Sequence, residues 1–224
     1  MLVSTIWKLA SVFGILIHQT GNCGEDPCLC RSIVTILLSF PLPLERSNYW
    51  THTRACVHTL GHVRIQDYHC GNGTASIFYN DPTVFVASVH CDPNFEYPFH
   101  SGFPNQTGVG KGEGTTLHLP LPPKTEWETY KKDGLEPALA AIARFAPEAI
   151  IISLGLDTHD EDPCAFRRAG FCLKGDDYTN MGRMIGECLG PDLPVVIIQE
   201  GGYRMDKIGE AAANLLSAFR NARL

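Results

Sequence analysis

The sequence has little positive charge, no long apolar run and no regular cysteine pattern. Its 224 residues carry a formal net charge of −6, which offers no general attraction to nucleic acid phosphates or to an anionic membrane surface. The mostly apolar run at residues 9–17 is too short to span a bilayer, and we expect it to form a buried helix. We therefore expect neither a nucleic acid nor a membrane as a direct partner.

The nine cysteines are odd in number and irregularly spaced, which argues against a disulfide framework. Free thiols favour a reducing compartment, so we expect a cytoplasmic or nuclear protein. Cys23, Cys28 and Cys30 are close enough to suggest a zinc knot, but no second pair at zinc-finger spacing follows them. Unbound thiols are therefore the preferred interpretation of these three residues.

From residue 61 onward, short β-branched runs alternate with stretches of helical periodicity. The runs suit strands buried on both faces, and they cover residues 63–66, 84–89, 149–156 and 194–199. Helices are predicted over residues 126–145, 178–188 and 207–220, the first with an early break at Gly134 or Pro137. Strands that alternate with helices predict an α/β fold with a parallel sheet.

Two parts of the chain lack this regular order. Residues 1–60 show no steady period, so we divide the chain into an atypical N-terminal segment, 1–60, and one domain over 61–224. Residues 90–125 are rich in glycine, proline and aromatic residues, and we expect little secondary structure there. A loop of this length is commonly functional, and the wall of a substrate channel is preferred over a packed Ω-loop.

Polar residues follow the predicted strands, where ligands bind in open α/β sheets. Asp67 and His69 follow the first strand, His90 follows the second, and Asp157 follows the third. Two carboxylates and one imidazole make a three-ligand set, and a catalytic zinc typically takes three protein ligands and leaves a fourth position for water or a substrate. Each residue also has a simpler interpretation, because Asp67 could cap a turn, His69 could be a core histidine and Asp157 could cap a helix. Their convergence on one sheet edge favours the metal site.

A glycine pair follows the last predicted strand. Gly201 and Gly202 permit a sharp turn with positive φ, which would direct Tyr203 over the metal. A tyrosine hydroxyl in that place could donate a hydrogen bond to a developing oxyanion. The alternative is a tyrosine that packs under a glycine turn.

Several separated motifs also resemble the arginase/deacetylase superfamily, and they are most similar to its acetylpolyamine amidohydrolase and histone deacetylase-like members. The motifs read DYHCGNGTASIFY from residue 67, SLGLDTHDEDP from residue 153 and QEGGY from residue 199. The resemblance covers residues 61–220 and implies a three-layer α/β/α fold whose N-terminal part looks incomplete in this chain. It also implies zinc-dependent hydrolysis of N-acetyl amides to acetate and an amine.

The resemblance assigns roles to residues at matching positions. It implies that Asp67, His69 and Asp157 bind Zn²⁺ and that Tyr203 polarises the scissile carbonyl. Asp162 matches a position near the floor of the site, and Ser88 matches one beside a structural monovalent cation, which would be K⁺. The residues that match the acyl tunnel are Tyr97, Phe99, Phe103 and Gly202.

The chain departs from the family pattern around the expected general base. That base is one of two adjacent histidines upstream of the D-x-H motif, and no His-His pair occurs in this sequence. Ile65 replaces an acid and Cys70 replaces a histidine beside the ligands, where outer partners orient a metal site. Two hypotheses therefore stand: a zinc-dependent deacetylase of acetylpolyamines or acetyl-lysine, and a truncated or divergent relative that binds or oligomerises without catalysis. An arginase-like site with two metals is weaker, because it needs more ligands.

Overall fold

The computed structural model describes residues 36–39, 59–64, 67–163 and 170–224. The predictions for residues 9–17, for Cys23, Cys28 and Cys30, and for Ile65 lie outside the described residues. Among the helices that are described, none is long and apolar enough to cross a membrane.

Six strands form one sheet in the order β1-β6-β5-β2-β3-β4. The strands are β1 (Ile36–Ser39), β2 (Leu60–Arg64), β3 (Val84–Cys91), β4 (Thr116–Leu121), β5 (Ala149–Leu154) and β6 (Val195–Gln199). β1 pairs antiparallel with β6, and the other neighbouring pairs are parallel. From β2 the chain builds the sheet outward through β3 and β4, and it then returns to the other side of β2 for β5 and β6. The carboxyl ends of β2 and β5 therefore lie side by side at the point where the strand order reverses, which is the usual ligand-binding position.

Helices cover both faces of this sheet. They are α1 (Asn72–Phe78), α2 (Glu136–Phe145), α3 (Gly175–Leu189) and α4 (Ile208–Asn221). Because side chains alternate along a strand, Phe85, Ala87 and Val89 of β3 join the core cluster that contains buried residues of α2, α3 and α4. Val84 and Val86 face the other side and pack with Ala75 of α1. The predicted three-layer α/β/α fold with a mostly parallel sheet is thus confirmed.

Most of the predicted elements are present, with shifted ends. β3, β5, β6, α3 and α4 occupy the predicted ranges to within a few residues, whereas β2 begins at Leu60, before the predicted start at residue 63. The predicted end of β2 at residue 66 lies outside the described residues. The predicted early break in the first long helix is wrong. A π-helical segment, Tyr130–Leu135, leads directly into α2, and the Glu136 amide donates to the Lys131 carbonyl five residues back. This wider turn accommodates Pro137, which has no amide hydrogen to donate.

The prediction that residues 90–125 lack secondary structure is wrong at their C-terminal end, where β4 forms. In β4 the inward side chains of Thr116 and His118 are polar and buried, so the strand does not show the usual apolar inward face. Pro120 is tolerated because β4 is an edge strand of the described sheet. The sequence pattern also did not predict β1 or α1, and α1 begins at Asn72, directly after Gly71.

The contact between α3 and α4 depends on Gly182. A Cβ atom at this position would clash with the backbone of Leu215, including its carbonyl oxygen. We predict that Gly182→Ala lowers the free energy of unfolding by about 1–3 kcal/mol, which is the usual cost of overpacking a rigid contact. The matched control is Gly209→Ala in α4, because no atom lies within 4 Å of a Cβ there. Urea unfolding should show Gly209→Ala as stable as the native chain or more stable, and equal losses in both variants would contradict the predicted clash.

Candidate metal centre

Asp67, His69 and Asp157 come together at the reversal point of the sheet. Asp67 and His69 follow β2, and Asp157 follows β5, which is the parallel neighbour of β2. One potential ligand atom from each residue lies within 4.8 Å of the other two. The His69 Nδ1–H group faces both carboxylates, at 3.1 Å from Asp157 Oδ2 and 3.3 Å from Asp67 Oδ1. The structure thus groups the three residues that the sequence suggested as ligands.

Burial and the close approach of charged groups shift the pKa values of this cluster. Asp67 and Asp157 are almost fully buried, while the His69 side chain remains partly exposed. Burial, together with the charge of Asp67, raises the pKa of Asp157 to about 6. Burial alone would lower the pKa of His69, but hydrogen bonds to Asp157 and Asp67 outweigh it and raise that pKa to about 10. The pair of carboxylates therefore strongly favours a cation between them.

Backbone contacts hold the two carboxylates in place. The His69 amide donates to Asp67 Oδ1 at 2.8 Å, and the Tyr68 amide donates to Asp157 Oδ1 at 3.0 Å. The first contact shows that Asp67 does cap a local turn, through Oδ1. The second contact links the segment after β2 directly to the segment after β5. The alternative in which Asp157 caps a helix is wrong, because turns and not a helix follow Asp157 directly.

Two glycines leave the space that the carboxylates occupy. A Cβ atom at Gly155 would lie 2.6 Å from Asp67 Oδ2, and one at Gly201 would lie 2.6 Å from Asp157 Oδ2. Both distances are too short for any other residue without displacement of a carboxylate. The Leu156 amide also donates to the Gly201 carbonyl at 2.9 Å, so the segments after β5 and β6 approach closely beside Asp157.

Tyr203 lies on a turn that Asp162 fastens. Gly202 has φ of +117°, so the positive φ that was expected in the glycine pair falls on this residue. The buried Asp162 Oδ2 accepts hydrogen bonds from the amides of Tyr203 at 2.6 Å and Arg204 at 3.2 Å. Tyr203 itself is 38% exposed, which leaves its side chain accessible to a ligand. The role of Asp162 in the structure is thus to hold the turn that carries Tyr203.

The aromatic segment after β3 adjoins the metal motif. Tyr97 and Phe99 are exposed and Phe103 is partly buried. The segment is fixed to the sheet at Gly102, whose carbonyl lies 3.0 Å from His90 Nε2 and whose Cα is close to the Cys70 side chain. That this segment and Gly202 line a substrate channel stays a prediction.

Ser88 lies behind the motif and is held by two neighbours. Its hydroxyl oxygen accepts a hydrogen bond from the Gly71 amide at 3.2 Å and lies 2.9 Å from His90 Nδ1. Ser88 thereby links β3 to the turn that follows His69. The expected K⁺ beside Ser88 stays a prediction.

Sequence reasoning missed a second cluster of metal-binding side chains. Cys70, His90 and His118 are all buried, and their potential ligand atoms lie within 4.8 Å of one another. His90 could have been noticed, because it follows a predicted strand in the same way as the other candidates. His118 could not, because β4 was not predicted and no motif surrounds it.

The donor set of the first cluster fits a divalent metal ion. Carboxylates and an imidazole bind Zn²⁺ well, and three protein ligands leave a fourth position for water or a substrate. The two buried carboxylates also supply the negative charge that such a cation would neutralise. The candidate metal centre lies at the reversal point of a mostly parallel α/β sheet, which is where ligands bind in this class of fold.

The comparisons with known proteins narrow this class to one family. Residues 59–219 match the histone deacetylase domain, and the chain belongs to the histone deacetylase family. Acetylpolyamine amidohydrolase 1 of Pseudomonas aeruginosa is 42% identical over 156 residues, which cover 70% of this chain and 43% of that protein. Acetylpolyamine amidohydrolase of Mycoplana ramosa is 41% identical over 150 residues, which cover 67% of this chain and 42% of that protein.

The fold of the chain is also found in a solved relative. The crystal structure of acetylpolyamine aminohydrolase from Burkholderia pseudomallei matches with a TM-score of 0.70 and 32% identity, over 76% of this chain and 47% of that one. This chain thus spans less than half the length of the relatives it matches. The resemblance stated from the sequence motifs is confirmed.

The hydrogen bonds from the Tyr203 and Arg204 amides to Asp162 can be tested without any metal. We predict that Asp162→Ala releases the Tyr203 turn and lowers the free energy of unfolding by about 1–3 kcal/mol, because two amides lose a buried carboxylate acceptor. Hydrogen exchange should become faster at the Tyr203 and Arg204 amides than in the native chain. Asp133→Ala, at an exposed position, is the control and should change neither quantity. Unchanged exchange in Asp162→Ala would show that the turn holds without this residue.

Proposed function

We propose that this chain is a zinc-dependent deacetylase or amidohydrolase that releases acetate from N-acetylated amines. The observation that carries the proposal is the cluster of Asp67, His69 and Asp157 at the reversal point of the sheet. Membership of the histone deacetylase family and similarity to acetylpolyamine amidohydrolases support the same reaction.

In this proposal, different residues hold the metal, donate to the oxyanion and position the donor. Asp67, His69 and Asp157 would hold the metal, which when bound acts as a Lewis acid and lowers the pKa of water. Tyr203 would donate a hydrogen bond from its hydroxyl to the oxyanion that develops on the acetyl carbonyl. Asp162 holds the Tyr203 turn and thereby sets the position of that donor.

A small cationic amine with one acetyl group is the proposed substrate class. The exposed rings of Tyr97 and Phe99 could cover the methylene chain of such a molecule, and aromatic faces also attract ammonium groups. The net charge of −6 favours cations over anions. An acetyl-lysine side chain shares this chemistry, so the two sources are compared directly in the experiment below.

The missing His-His pair favours a second candidate, a relative that binds metal without catalysis. The family places its general base in that pair, and the pair is absent from the sequence. A general base is typically worth about 10²–10⁴ in rate, so this chain could hold a metal and still hydrolyse amides slowly. Metal binding and hydrolysis must therefore be measured separately.

Metal retention is the first measurement. We predict that the purified chain retains zinc and that Asp157→Asn loses one equivalent relative to it, because the variant removes a charged oxygen ligand. Zinc at 100 times its dissociation constant should stabilise a binding site by about 2.7 kcal/mol, and metal analysis with thermal unfolding reports both effects. The control Asp176→Asn changes an exposed carboxylate at the start of α3 and should keep the full metal content. Equal metal content in Asp157→Asn and the native chain would contradict the assignment of this ligand.

Hydrolysis is the second measurement. We predict zinc-dependent release of acetate from a mono-acetylated diamine, faster than from an acetyl-lysine peptide. Tyr203→Phe should lower the rate by about 10²–10³, the usual effect of the loss of one oxyanion donor, while its metal content stays unchanged. Tyr79→Phe, which alters a partly exposed tyrosine after α1, is the matched control and should remain as active as the native chain. No release of acetate from folded, metal-loaded protein would reject the hydrolase and favour the non-catalytic relative.

A further inference from the structure

The second cluster has the composition and position of a closed metal site. Cys70 follows the D-x-H motif, His90 lies on β3 and His118 lies on β4, so three neighbouring parts of the sheet each supply one residue. The residues are 4%, 0% and 2% exposed, respectively. The register of β3 and β4 pairs Ser88 with His118, which places His118 and His90 on the same face of the sheet as Ser88.

The separations between donor atoms suit a tetrahedral ion. Zinc binds sulfur at about 2.3 Å and imidazole nitrogen at about 2.0–2.1 Å, so tetrahedral ligands of these two kinds stand about 3.6 Å apart. Cys70 Sγ lies 3.7 Å from His118 Nδ1. The remaining separations are within 4.8 Å, and small rotations of the side chains would bring them to the tetrahedral value. A thiol–imidazole hydrogen bond also fits 3.7 Å, so the third residue has to decide between the two interpretations.

His90 is oriented in the way that metal-binding histidines usually are. Such a histidine donates its second ring N–H group to a nearby oxygen, which fixes the ring. His90 Nδ1 lies 2.9 Å from the Ser88 hydroxyl, and the same hydroxyl oxygen accepts the Gly71 amide. With Nδ1–H donated to Ser88, Nε2 would carry the lone pair that a metal needs, and a ring nitrogen of His90 lies within 4.8 Å of the donor atoms of Cys70 and His118.

Gly102 marks the point where these ligands converge. A Cβ atom on Gly102 would meet both His90 Nε2 and Cys70 Sγ, so both atoms border the same space. Gly102 has φ of +104°, a conformation that favours glycine, and its carbonyl oxygen lies 3.0 Å from His90 Nε2. That oxygen is in position to act as a fourth donor. Without a metal it can instead accept a hydrogen bond from the other tautomer of His90.

The donors select the kind of metal. A thiolate with two imidazoles suits Zn²⁺ and other borderline-soft ions, whereas Mg²⁺ and Ca²⁺ prefer oxygen ligands. Because all three side chains are buried, the site would be closed to substrate and structural in role.

We propose that Cys70, His90 and His118 bind a structural zinc ion, separate from the centre formed by Asp67, His69 and Asp157. This ion would fasten β3 and β4 to the segment that carries His69, and it would hold the aromatic segment at Gly102. The proposal does not depend on hydrolysis, because it concerns only the binding of metal by the folded chain.

Cobalt substitution tests the site in the full chain. The native chain should bind two Co²⁺ ions and show a thiolate-to-cobalt charge-transfer band, since the first centre contains no sulfur. Cys70→Ser should lose that band and one equivalent of metal, and His118→Asn should lose the same equivalent. Asp157→Asn should lose the other equivalent and keep the band, so failure at one site is distinguishable from failure at the other. His100→Asn, at an exposed histidine, is the matched control and should keep both ions.

Two further variants test whether the sulfur of Cys70 is itself the ligand. Cys70→His replaces the thiolate with an imidazole and should keep two ions without the charge-transfer band, a result that a merely structural thiol would not produce. A variant with serine at Cys23, Cys28, Cys30 and Cys56 should keep the band, which separates the proposed site from the N-terminal thiols. The proposal is overturned if the folded native chain binds a single ion without the band, or if the band survives in Cys70→Ser.

Discussion

The meeting of two buried carboxylates, Asp67 and Asp157, is the constraint on which the rest of the site depends. Two like charges within 4.8 Å repel each other by at least about 3 kcal/mol at an effective dielectric constant near 20, in addition to the cost of burial. The protonated His69 compensates part of this charge in the metal-free chain. A divalent cation would compensate more of this charge, so the close approach of the two carboxylates favours the binding of such a cation.

The topology of the sheet explains why these carboxylates meet although 89 residues separate Tyr68 from Asp157. β2 and β5 are parallel neighbours because the chain completes β3 and β4 on one side before it returns to the other. Side chains that follow parallel neighbours emerge at one edge. The next strand, β6, then brings Gly201 and Tyr203 to the same edge, so one sheet supplies both the candidate ligands and the proposed oxyanion donor.

Most of the strands, the helices and the candidate ligands could be predicted from the sequence, because apolar runs and motifs indicated the same elements. β3, β5, β6, α3 and α4 follow continuous apolar runs or helical periods, and the three candidate ligands stand at strand ends. Prediction failed where buried residues are polar or where local pattern is weak. β4 buries Thr116 and His118, so its inward face resembles a loop, and the second cluster was missed with it. The sequence pattern also did not predict the π-helical segment before α2. Pro137 indicates a helix break, but it does not indicate that a wider turn before it keeps the helix continuous.

In the proposed function, metal binding and catalysis depend on different residues. Binding depends on the sheet edge, on the glycines at 155 and 201 and on the backbone contacts of Asp67 and Asp157, all of which lie within the described residues. Catalysis needs a proton acceptor in addition, and the sequence has no His-His pair to supply it in the family's way. A second ion behind the motif would affect the first of these properties only, because it would fix the segment that carries His69 without touching substrate. The proposed affinity of the centre for metal therefore does not determine the proposed rate of amide hydrolysis.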